Sequence, residues 1–193
     1  MTPILGILAS GISGNLWAPG KDFDSIATVT LGTSASSITF SSIPATYRHL
    51  QIRGIVRDTG TAADWNLLSA TFNGDTAGNY SSHGIRAYGA TADIYPVQFT
   101  STSNMYFGLL PSSFSGYGPT YAATVFDVLD YADTNKYKTL RTLNGADTNS
   151  ATYGYVYIGS GSWRSTTAVN SIQITAPGRT LAQYSSFALY GVK

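Results

Sequence analysis

The sequence predicts an all-β protein: an antiparallel β-sandwich of jelly-roll-like build with an extended N-terminal arm. Three observations carry that expectation. Composition is the first. Of 193 residues, 23 are Ser, 24 Thr and 20 Gly, while Lys appears four times and Glu not at all. Lys and Glu favour helices, whereas Thr and aromatic residues favour strands. Periodicity is the second, because apolar residues recur at every second position from residue 25 onward. The third is the short spacing of turn signals between those runs, as in sandwiches and barrels. The length fits one domain with an appendage, divided here into an arm and linker, 1–24, and a β-sandwich domain, 25–193.

The arm comes first. Residues 3–14 are apolar but interrupted by Gly and Ser, too short and broken for a solitary helix. Pro19-Gly20 marks a linker. Exposing such a segment to water is unfavourable, so Ile4, Leu5, Ile7, Leu8, Ile12, Leu16 and Trp17 are expected to anchor on a partner. The start has no positively charged region, which argues against a secretory signal.

The strands follow in order. Val29 and Leu31 alternate with Thr28 and Thr30; Ile38 and Phe40 alternate with Thr39 and Ser41. Leu50, Ile52, Gly54 and Val56 alternate with His49, Gln51 and Arg53, the best half-buried strand pattern in the chain. Leu68, Ala70 and Phe72 form the next apolar set, and Val125–Leu129 reads as a buried strand near its end. Tyr137, Thr139, Arg141 and Leu143 alternate with Lys138, Leu140 and Thr142. Tyr153, Tyr155 and Tyr157 share one face, with Val156 and Ile158 on the other. Ile172 with Ile174, and Phe187 with Leu189, complete the series. Turns are expected at 72–75, Asn144-Gly145, 159–161 and Pro177-Gly178. Residues 88–121 alternate weakly and read as long loops or short edge strands.

Composition also restricts function. The net charge is +1, with no basic or acidic block, so capture of nucleic acid or of an anionic membrane is not expected. No run reaches the roughly 20 apolar residues of a helical membrane span. With no Cys, thiol catalysis, thiolate zinc sites and disulfides drop out. Two histidines, the absence of a Gly-x-Ser-x-Gly elbow and unremarkable Asp pairs (Asp127 with Asp130, Asp22 with Asp24) argue against an enzyme. Residues 73–79 place oxygen side chains at alternate positions, but they lack a closing bidentate Glu and read as a turn, not a calcium loop. No phosphate loop or dinucleotide fingerprint is present. We therefore expect no catalytic residues, metal or cofactor. The positive signal is aromatic. Tyr88, Tyr95, Tyr106, Tyr117 and Tyr121 lie in a Gly/Ser-rich stretch, where tyrosines serve either subunit packing or stacking on a glycan.

Several phrases also carry a family resemblance. The opening 3–14, Ser37-Ile38-Thr39-Phe40-Ser41-Ser42-Ile43-Pro44 followed by Tyr47–Gly54, Phe72-Asn73-Gly74-Asp75 with Asn79-Tyr80, Gly161–Thr166 and the ending Tyr184–Gly191 together resemble structural proteins of tailed bacteriophages. The resemblance covers nearly the whole chain and is weakest over 88–121. It implies a β-rich virion component, a head decoration, head fibre or tail fibre, assembled in the host cytoplasm. It also implies a homotrimer anchored by its arm to capsid, portal/tail or baseplate protein. A receptor-recognition module binding host surface glycan is the alternative.

Overall fold

The computed structural model describes residues 22–89, 94–150 and 153–193. The strands are β1 (Phe23–Thr30), β2 (Ser37–Phe40), β3 (His49–Val56), β4 (Trp65–Phe72), β5 (Tyr80–Tyr88), β6 (Ile94–Thr102), β7 (Met105–Pro111), β8 (Ala122–Leu129), β9 (Lys138–Ala146), β10 (Tyr155–Trp163), β11 (Ile172–Thr175) and β12 (Ser186–Val192). Among the described residues the one helical piece is a 3-10 turn, Ser115–Tyr117. Eight strands form an antiparallel sheet in the order β1-β12-β3-β8-β9-β10-β5-β6, and four form a second in the order β2-β11-β4-β7. The expected antiparallel β-sandwich is present, divided eight against four.

The core sits where period-two patterns are cleanest. Leu50, Ile52 and Val56 of β3, Phe126 and Val128 of β8, and Phe187 and Leu189 of β12 face Ile38, Phe40, Leu68, Ala70, Phe72, Ile172 and Ile174 of the small sheet. Burying each large side chain contributes about 1.5–3 kcal/mol, ample reason for these strands to hold one register. β1 begins at Phe23, inside the segment read as arm and linker. Phe23 pairs with Val192 and Asp24 with Gly191, and the Asp24 carboxylate lies 2.6 Å from Lys193 Nζ.

Three local expectations need correction. Asn144-Gly145 is not a turn but the interior of β9, because the Asn144 amide is needed inside the sandwich. Gly159-Ser160-Gly161 likewise runs through β10. The Tyr157 ring lies across the strand there, and a Cβ on Gly159 would fall 2.5 Å from its hydroxyl. Val125–Leu129 belongs to a strand buried on one face only, with Val125 37% exposed. Of the two readings of 88–121, edge strands are the one observed: β6 closes one edge of the large sheet and β7 one edge of the small sheet. Two turns match expectation. Asn73 and Gly74 both have positive φ (54° and 69°), and the Asp75 amide donates to the Phe72 carbonyl at 2.9 Å. This tight reversal carries the chain from the small sheet to the large one. At Pro177-Gly178, Gly178 has φ 76° and the Arg179 amide closes onto Ala176.

β7 explains an unusual set of buried polar side chains. It packs against β9, β10, β5 and β8, and one of its two edges has no strand neighbour among the described residues. Buried backbone groups require partners. The Leu109 amide donates to Asn144 Oδ1 at 2.8 Å, the Tyr155 hydroxyl donates to the Leu109 carbonyl at 2.7 Å, and the Tyr106 amide donates to Ser82 Oγ at 3.1 Å. Side chains of the large sheet thus cap an edge that would otherwise invite another strand.

Candidate functional site

The seven anchoring residues Ile4, Leu5, Ile7, Leu8, Ile12, Leu16 and Trp17 lie outside the described residues. The five tyrosines lie inside them and do not form one site. Tyr88 and Tyr95 stack at 4.7 Å, with Trp65 at 4.9 Å from Tyr88. Tyr106 packs on Phe99 at 4.3 Å, farther along β6. Tyr117 is buried between Phe114 and Tyr153, and burial pushes its phenol up to about 12. Tyr121 stands apart, donating to the Gln183 carbonyl at 2.8 Å with the Arg57 guanidinium 5.9 Å from its ring centroid.

Groups that could carry chemistry are occupied. The Asp130 amide donates to His49 Nδ1 at 2.9 Å. A triad base instead donates from that nitrogen to a carboxylate. Asp58 and Asp64 converge on Arg179, at 3.1 and 2.6 Å, which ties the loop after β3 to the segment before β12. Burial raises Asp58, whereas the hydrogen bond from Arg179 lowers Asp64. Asp75 accepts from Trp163 Nε1 at 2.7 Å, Asn79 Nδ2 at 2.9 Å and the Ala77 amide at 2.9 Å. These donors account for Asp75 as a turn organiser. They also make Trp163 the core anchor with a polar handle that its strand-end position suggests.

Two surfaces remain as candidates. The first is the outer face of the large sheet. One cross-strand row runs Arg53–Val125–Leu143–Ile158–Ile85–Pro96, and the next runs Ile55–Ala123–Gly145–Val156–Ala87. Leu143, Ile158 and Val156 are 56%, 53% and 52% exposed, with Ile55 and Ile85 each at 49%. A polar rail borders the stripe: Arg53 Nε donates to Gln51 Oε1, Gln51 Nε2 to Asp127 Oδ1, and Arg141 Nε to Asp127 Oδ2, at 2.7–2.8 Å. Shallow grooves between the strands on this face are lined by Val125, Leu143 and Val156 and by Arg141 and Ile158.

The second surface is a groove of about 390 Å³ between β6 and the β4–β7 pair. Trp65, Leu67, Val97, Phe99 and Leu109 supply its apolar side chains, Asn66 and Gln98 line it as well, and Arg86 enters from β5. The Arg86 guanidinium lies 5.6 Å from the Tyr88 ring centroid and 6.0 Å from that of Tyr95. Its Nε is buried with no hydrogen-bond partner among the described residues. Periodicity alone does not single out Arg86. Ile85 and Ala87 flank it, so the apolar positions suggest the opposite face as the inner one. The alternation Tyr80, Ser82, Arg86, Tyr88 was the available signal.

No protein-family model matches the chain, and no curated protein matches it. Among solved structures it is similar to the VIP36 exoplasmic/lumenal domain in a Ca2+/Man3GlcNAc-bound form. Identity is 8% and the TM-score 0.23, over 89% of this chain and 83% of that one. It is also similar to a protein described as a pore-forming toxin from Bacteroides vulgatus, at 8% identity and TM-score 0.10, over 86% of this chain and 62% of that one. Superpositions this loose carry no functional argument.

Proposed function

We propose that the protein is a non-enzymatic structural component of a tailed-phage virion, acting as a homotrimer through the outer face of its eight-stranded sheet. One observation carries the oligomer: two adjacent cross-strand rows of half-exposed aliphatic side chains with nothing packed on them among the described residues. The six largest expose on the order of 500 Å², near the upper end of what a monomer leaves bare. With the Ala, Gly and Pro positions beside them the patch approaches the roughly 800 Å² that each partner of a stable interface buries. Its shape favours a three-fold arrangement. The stripe crosses about five strands but is two rows wide, roughly 24 by 10 Å at sheet spacings. Three narrow stripes turned to one axis cover one another, and the Gln51–Asp127–Arg141 rail stays at the rim. The virion role rests on the resemblance of the sequence phrases and on the apolar arm, which would attach the trimer to capsid, portal/tail or baseplate protein. Assembly would occur in the host cytoplasm.

Light scattering on the full chain should give about three times 20.5 kDa. Leu143→Lys with Ile158→Lys should give a folded monomer. A monomeric wild type, or a double variant that stays trimeric, would overturn the interface. A wild-type monomer whose stripe binds a hydrophobic dye only after residues 1–21 are removed would instead assign the face to the arm. Immunogold labelling of particles with antibody to residues 25–193 tests the virion role separately, and bare particles would end it.

A further inference from the structure

We propose that the groove beside β6 binds the carboxylate of an acidic saccharide, with Arg86 holding the carboxylate and the aromatic walls receiving the sugar ring. The inference does not rest on the proposed trimer, because the groove lies on the opposite side of the sheet from the stripe.

Arg86 contrasts with two other guanidinium groups, those of Arg57 and Arg179. Arg57 Nε donates to the Ser112 carbonyl at 3.1 Å and Nη2 to the Phe114 carbonyl at 3.4 Å. Arg179 spans two carboxylates. Both are spent on structure. Arg86 lines a groove open to solvent, its Nε lacks an acceptor among the described residues, and the ion pairs of those residues all lie elsewhere. A buried guanidinium N–H without an acceptor is unfavourable unless a ligand supplies one. Cross-strand pairing with Tyr95 and the i+2 neighbour Tyr88 places both rings against the guanidinium in cation–π contact. That arrangement pre-orients the donor fork.

The remaining chemistry narrows the ligand class. A planar fork matches a carboxylate through two parallel hydrogen bonds. A phosphate dianion would call for additional cations, and Arg86 is the one cationic side chain among the described lining residues, with Asn66 and Gln98 the other polar ones. The Asn66 amide is already engaged, donating to the Pro177 carbonyl and accepting from the Leu67 amide. Trp65 and Phe99 present aromatic surface suited to the C–H face of a pyranose ring. A groove of about 390 Å³ falls within the range of small-molecule sites. One carboxylate on one apolar-faced ring, a hexuronate or a sialate, fits these features together.

The test is calorimetric titration of the full chain with tri-galacturonate and 3′-sialyllactose. Tri-galacturonate methyl ester, lactose, acetate and inorganic phosphate serve as controls. At least one acidic saccharide should bind tenfold or more tightly than its neutral counterpart. Arg86→Gln should abolish that difference, and Arg86→Lys should lose most of it while near-UV circular dichroism stays that of the wild type. The proposal is overturned if neither acidic saccharide binds, if the ester or lactose binds equally well, if phosphate competes as strongly as the saccharide, or if folded Arg86→Lys and Arg86→Gln both bind like the wild type.

Discussion

The two halves of the eight-stranded sheet differ in what they bury. In the β12–β3–β8 half the inner side chains are mainly Leu50, Ile52, Phe126, Phe187 and Leu189, and the outer ones include Arg53, Gln51 and Asp127 beside Ile55 and Val125, where the apolar stripe begins. In the β9–β10–β5 half the inner face carries Lys138, Thr142, Asn144, Tyr155, Tyr157 and Ser82, while the outer face carries Leu143, Val156, Ile158 and Ile85. The difference has two causes. Inside, β7 brings a backbone edge that needs donors and acceptors, so amides and hydroxyls replace aliphatics. Lys138 obeys the same logic: it is fully buried, and its ammonium is satisfied by the carbonyls of Asp133, Lys136 and Thr166. Outside, apolar side chains that no element of the described chain covers form the face proposed above for subunit contact. Polarity inside and greasiness outside therefore carry separate messages, one about an edge strand and one about the proposed interface.

Truncation in each half sharpens that contrast. Phe126 packs on Phe107 with centroids 4.2 Å apart and is fully buried. Phe126→Ala should cost about 3–5 kcal/mol, as a cavity in a hydrocarbon core does, read by urea unfolding. In the other half the expected loss comes from hydrogen bonding. Asn144→Leu keeps volume and adds apolar surface, yet it strands the Leu109 amide. It should still destabilise by about 2–3 kcal/mol. A neutral or stabilising Asn144→Leu would mean that the β7 edge does not depend on this cap, and the account of the polar interior would fail.

The same contrast explains how much the sequence reveals. Strands with a single apolar parity, such as Ile38–Phe40 and Ile172–Ile174, are readable because one face is buried in hydrocarbon and the other meets water. β10 has apolar residues on both parities, Tyr155 and Tyr157 against Val156 and Ile158, and periodicity cannot say which set points inward. Asn144-Gly145 has the composition of a hairpin turn; only the approach of β7, distant in sequence, makes Asn144 a strand residue. The stripe is assembled from single residues on different strands and emerges once strand order is known. Arg86 is recognisable as a candidate only when β6, β4 and β7 enclose it. Local chemistry is written in the chain, whereas sites built from several strands depend on register.

The smallest expected effect concerns the seam between the two sheets. Asp75 accepts from Trp163 Nε1, Asn79 and the Ala77 amide. The first of its pKa-lowering causes is Asn79 and the second Trp163, so its carboxyl lies below the usual 3.8. A carboxylate whose folded pKa is depressed contributes stability that is complete above the unfolded value. That contribution disappears as pH falls through the folded one. Asp64, also lowered, acts in the same direction. Asp58 is raised by burial, so folding favours its protonated form and acid partly offsets the loss in that loop. The seam at Trp163 should therefore show the effect most cleanly, at about 1–2 kcal/mol for charge-assisted hydrogen bonds. The indole N–H resonance of Trp163 should move with a midpoint below pH 3.8, while that of Trp65, which packs at a tilt against Tyr88 and Tyr155, stays in place. Asp75→Asn should flatten the Trp163 titration and leave the β3–β8 amides unchanged. A Trp163 shift centred at or above pH 3.8, or one that coincides with loss of the β3 and β8 signals, would remove the distinction between a locally pinned seam and a uniformly acid-sensitive sandwich.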